Sequence, residues 1–246
     1  MFQKTTQSPE VSELQKHLSG TYFAVRLGLG LIAIAFPMVL VAVGKYYVGP
    51  ELQDSISAYY HYEVNGRSMR DVFVGTLFAL GALLCLYRGF TPLENRLLNL
   101  AGSLAVCVAI FPMAWPSGAG GARFSIHGAS AVGAFVCLAC VAWFTASNTL
   151  SLVTDPAKRA RYKRGYQLLA FAMILAPVAA YVLSVVFGAR TLIAEALGLW
   201  IFSAYWFVKS FEIHETKADV HALQATLERV GTIDLPSPAA LDATDN

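Results

Sequence analysis

The stretch DSISAYYHYEVNGRSMRD, residues 54–71, sets two aspartates, a histidine, a glutamate and two arginines between two apolar runs. Proline at position 50 is a good first helical residue, and PELQDSISAYYHY is long enough for three turns. In such a helix Asp54, Ser57 and His61 fall at i, i+3 and i+7, on one face, with Leu52, Ile56 and Tyr59 turned to lipid or to the bundle. A short surface helix of this kind would present that polar face over the mouth of the bundle. Asn65-Gly66 then predicts a turn leading into the next helix. Each residue also has a structural reading. Asp71 closes SMRD, a capping pattern headed by Ser68. Asp54 in a first turn and His61 in a last turn suit the helix dipole.

The elements that must position these groups are membrane spans. The chain has 246 residues, of which 56% are hydrophobic and 14% charged, with a mean hydropathy of +0.53. Soluble domains carry about a quarter charged residues, so the expected class is an all-α, polytopic membrane protein. Segments 22–44, 71–88, 95–115, 124–148, 162–187 and 191–211 predict six spans, with Pro37, Pro112 and Pro177 as kinks. This divides the chain into an N-terminal segment (1–21), a six-helix domain (22–211) and a C-terminal amphipathic helix with a disordered tail (212–246). No cleavable signal is expected ahead of the first span. The helix starts agree: TPLE at 91–94 is a capping box with proline at its first helical position, and TDP at 154–156 opens the fifth helix.

Orientation follows from lysine and arginine placement. One face takes Lys4, Lys16 and Arg26, then Arg88 and Arg96, the run KRARYKR at 158–164, and Lys209, Lys217 and Arg229. The other takes Lys45, Arg67, Arg70, Arg123 and Arg190, so the split is thirteen to five. Both termini are therefore expected in the cytoplasm, with the protein in the plasma membrane or a bacterial inner membrane. Loop 45–70 then lies outside, together with Asp71, Arg123, His127, Arg190 and Glu195 at helix starts. Ionisable groups at span depth are costly and mark function by default, so an outer polar pocket is expected.

A net charge of +2 gives no case for nucleic acid, and membrane lipids are the expected partners. Cys85, Cys107, Cys137 and Cys140 lie in apolar runs, where the C-x-x-C pair reads as core. Lys209 reads as a snorkelling interfacial lysine, and Tyr59, Tyr60, Tyr62, Trp115 and Trp206 as belt aromatics. WPSGAGGARF reads as a flexible outer loop. In the tail, Ile213, Val220, Leu223, Leu227 and Val230 form a heptad stripe that predicts a projecting helix or a homodimer through 212–230.

Ser57-x-x-x-His61 followed by Asp71 resembles the signature of the CREST superfamily, which includes alkaline ceramidases and progestin and adiponectin receptors. The resemblance implies a zinc ion that activates water for hydrolysis of a lipid amide. It covers about fifteen residues. The family has seven spans and an H-x-x-x-H in its last helix, whereas His214 and His221 here are seven apart and on the cytoplasmic side. A site in this chain therefore draws on His127 and Glu195 instead. The expectation is a zinc-dependent lipid or amide hydrolase in which His61, His127 and Glu195 ligate the metal, Ser57 holds the water and Asp71 orients or deprotonates it. A likeness to DRAM and Sfk-like six-helix proteins implies no hydrolysis. The alternative is a non-catalytic lipid-binding or transport protein whose charges line a pathway.

Overall fold

A computed structural model describes residues 9–115, 125–187 and 190–231. It is all-α apart from one small hairpin. The long helices are α1 (Pro9–Val43), α2 (Arg70–Leu86), α3 (Pro92–Ile110), α4 (Ile126–Cys140), α5 (Pro156–Phe187), α6 (Leu192–Thr216) and α7 (Ala218–Gly231). Five helical stretches, those containing α1, α3, α4, α5 and α6, are long and apolar enough to cross a membrane. The 17-residue α2 packs with them as a full member of the bundle. Successive helices are neighbours and α6 returns against α1, which closes a ring.

Local chemistry explains the helix starts. Thr91 Oγ1 accepts the Glu94 amide at 3.1 Å with Pro92 at the first helical position, as the capping pattern predicts. Ser125 Oγ accepts the Gly128 amide at 3.0 Å, and Asp155 Oδ1 accepts the Ala157 amide at 2.9 Å. Pro37 and Pro177 do sit inside helices, but Pro112 lies past the end of α3. Glycines allow a close helix contact: a Cβ on Gly102 would stand 2.6 Å from the Gly81 carbonyl oxygen, so α2 and α3 touch backbone to backbone. Large apolar side chains face outward all round, among them Met38, Leu86, Leu168, Phe171 and Ile193, each more than half exposed.

Several expectations are corrected. Helix α1 begins at Pro9, well inside the segment expected to precede the span. Residues 51–61 are not a three-turn helix: only Ser57–His61 is helical, as a single 3-10 turn. After it, Asn65 and Gly66 take φ of 52° and 75°, a turn that joins strands β1 (Glu63–Val64) and β2 (Arg67–Ser68). Ser68 does not cap α2 through Asp71, because its hydroxyl accepts the Arg70 amide instead. Tyr59, Tyr62 and Trp206 are buried in protein rather than placed in an interfacial belt.

The tail is not one stripe. Helix α6 runs on to Thr216, Lys217 breaks it with φ 51°, and Ile213 is buried in the bundle. Helix α7 folds back on α1, where Asp219 pairs with the buried Arg26 at 2.6 Å. The end of the chain expected to be disordered and the 116–124 part of the glycine-rich loop, with Arg123, lie outside the described residues.

Candidate functional site

Residues 53–61, 111–115 and 190–195 meet at one end of the bundle, and the hydrogen bonds between them are reciprocal. The Asp54 carbonyl accepts the amides of Thr191 at 2.7 Å and Leu192 at 2.9 Å, which satisfies the start of α6. In return the Glu195 carboxylate accepts the Ile56 amide at 2.9 Å and the Thr191 hydroxyl at 2.5 Å. Arg190 closes the joint with an exposed ion pair to Asp54 at 3.0 Å. This joint is why residues 51–56 are not helical: the Asp54 carbonyl caps a different helix.

Behind the joint lies a cavity of about 740 Å³. Its mouth carries Asp54, Ser57, His127, Arg190 and Glu195, and its walls are apolar, with Phe73, Leu77, Leu80 and Val108 among them. Leu84, Leu138 and Phe202 line its far end, ten or more residues along their helices, so at 1.5 Å per residue it reaches roughly 15–20 Å into the bundle. Val132 on α4 and Tyr181 on α5 also line it while remaining 46% and 61% exposed. The cavity therefore opens sideways between α4 and α5 as well as at the mouth.

Two of the five expected site residues form a direct pair. His127 Nε2 lies 2.9 Å from Ser57 Oγ, although the two are 70 residues apart. The other ring nitrogen, Nδ1, faces the carbonyl oxygens of Phe111 at 2.9 Å and Val108 at 3.1 Å. Both partners only accept, so Nδ1 carries the hydrogen and Nε2 presents a lone pair to the serine hydroxyl. His61 sits apart, with Nε2 2.9 Å from the Met113 carbonyl and its ring stacked on Trp115. Asp71 is exposed at the start of α2 and is not among the residues that line the cavity.

The residues expected to ligate zinc are each hydrogen-bonded within the chain. The lone pair of His127 is directed at Ser57, the Nε2 of His61 is spent on a carbonyl, and Glu195 is occupied by donors from its own chain. Among the described residues no group of three or more histidine, cysteine, aspartate or glutamate side chains is placed to hold a metal ion.

The opposite end of the bundle holds charges that the sequence reading did not assemble. Lys209 is 1% exposed, not snorkelling, and its Nζ donates to the Ala146 carbonyl at 2.9 Å, Thr149 Oγ1 at 2.6 Å and Glu212 Oε2 at 2.8 Å. Glu212, fully buried, also accepts from Thr149 and from the Tyr166 hydroxyl at 2.7 Å. Lysine and arginine inside apolar runs were the available signal. Glu212 stands only three residues from Lys209, but the other partners, in the helical turn Ala146–Leu152 and on α5 and α7, were not visible from local pattern. Comparison with known proteins finds no matching family model, no matching curated protein and no matching solved structure.

Proposed function

We propose that this is a six-span membrane protein of the plasma membrane or bacterial inner membrane, termini in the cytoplasm, that takes the apolar chain of a lipid into the cavity from the outer leaflet. The observation that carries the reading is the cavity itself: an apolar chamber within the roughly 300–1,000 Å³ of small-molecule sites, with its polar groups confined to the mouth. The sideways opening past Val132 and Tyr181 faces where acyl chains would lie, so a lipid tail enters without crossing water. Arg190, two-thirds exposed at the mouth, suits an anionic or polar headgroup. The spans and the charge split support the sidedness, with α2 as the sixth span.

The test is the lipid that travels with the protein. Native mass spectrometry of wild type should show a bound lipid, and Ala131→Trp, which places an indole in the cavity, should reduce it several-fold while the protein stays monodisperse. Equal lipid content in the two proteins would remove the reading.

A further inference from the structure

The Ser57–His127 pair goes beyond lipid binding. We infer that it is a metal-independent nucleophile and general base that cleaves the ester of a lipid whose acyl chain lies in the cavity; the inference rests on the lipid-cavity reading above.

Three observations carry it. First, the geometry is that of an activated serine: Oγ and Nε2 are 2.9 Å apart, and Nδ1 is held by two backbone carbonyls, which fix the tautomer that leaves Nε2 free to take a proton. A carbonyl here fills the orienting role that a carboxylate fills in many triads. Second, both side chains line the chamber at its polar mouth, so an acyl chain seated inside brings its carbonyl carbon to the serine. Third, α4 and α6 both begin at this mouth, and Arg190 lines it. Helix N-termini and a guanidinium supply positive potential where an oxyanion develops.

The step balances with water alone. Ser57 Oγ attacks the ester carbon as His127 Nε2 takes the hydroxyl proton. The bond from carbon to the alkoxy oxygen breaks, and the alcohol leaves with that proton, giving acyl-Ser57. Water then attacks the acyl carbon, losing a proton to His127, and that proton returns to Ser57 Oγ as the fatty acid departs. The net reaction is ester plus water to acid plus alcohol.

Purified full-length protein is treated with two fluorophosphonates, one bearing an ethyl chain and one a long alkyl chain, and adducts are mapped by peptide mass spectrometry. The expected result is an adduct on Ser57 with both probes, formed faster with the long chain. His127→Gln, checked for folding by size exclusion, should slow labelling by roughly 100-fold or more. Release of fatty acid from a long-chain ester in mixed micelles should survive a zinc chelator and be lost in Ser57→Ala. The inference is overturned if wild type forms no Ser57 adduct with either probe, or if folded His127→Gln labels at the wild-type rate. Should a variant fail to fold, the wild-type adduct map decides alone. The two readings fail differently. Equal labelling by both probes, with lipid content unchanged in Ala131→Trp, keeps the pair and removes the cavity reading. Retained lipid without an adduct does the reverse.

Discussion

At the scale of single residues, the two ends of the bundle make different demands. Lys209 and Glu212 are both buried and bonded to each other and to Thr149, while Tyr166 donates to Glu212 and the Ala146 carbonyl accepts from Lys209. Removing one member leaves the other charge without its counterion, which typically costs about 3–5 kcal/mol, whereas replacing both with apolar residues is often close to neutral. Lys209→Met should therefore lower stability by that amount in detergent unfolding, and Lys209→Met with Glu212→Leu should recover most of it. A double variant as unstable as the single one would mean that the pair is not the source. At the other end, with His127 Nε2 turned to Ser57 and His61 Nε2 turned to the Met113 carbonyl, purified protein should carry far less than one zinc per chain by elemental analysis. A full equivalent of zinc would restore the metal reading. Ser57, His127 and Glu195 were legible as residues of interest because polar groups stand out in apolar sequence. Their pairing was not, since the Ser57–His127 contact spans 70 positions and no local periodicity encodes it.

At the scale of elements, long apolar runs and capping residues locate helices well. TPLE and TDP mark their starts to the residue, because a cap acts within three or four positions. The segment 51–56 was misread because its proline and spacing favour a helix locally, while the Asp54 carbonyl is taken by α6 from far along the chain. The tail was misread because heptad spacing ignores the left-handed Lys217 and the pull of Arg26 on Asp219. Where elements meet, the α2–α3 contact is the least forgiving. Gly102→Val puts branched carbon atoms where the Gly81 carbonyl already stands, and overpacking of this kind costs about 1–3 kcal/mol or more. The variant should show a clear drop in thermal midpoint, whereas Gly75→Ala, with nothing within 4 Å of the added carbon, should not. Equal effects would remove close packing as the cause.

At the scale of the whole molecule, the arrangement of loops by end is a statement about membrane sides. With the four native cysteines replaced, Asn65→Cys should react with an impermeant maleimide from outside intact cells, and Thr154→Cys only after permeabilisation. The reverse pattern would turn the cavity mouth toward the cytoplasm and with it the source of its lipid. The joint between residues 54–56 and 190–195 also bears on the order in which the chain is made. The ribosome delivers the serine segment early and the start of α6 more than 130 residues later. Until α6 is in place, the Asp54 carbonyl and the Ile56 amide lack the partners that it supplies and the chamber has no finished mouth. A chain stopped after residue 187 should therefore lose the fluorophosphonate adduct even though it contains both Ser57 and His127. The arrival of α6, far along the chain, arms the site.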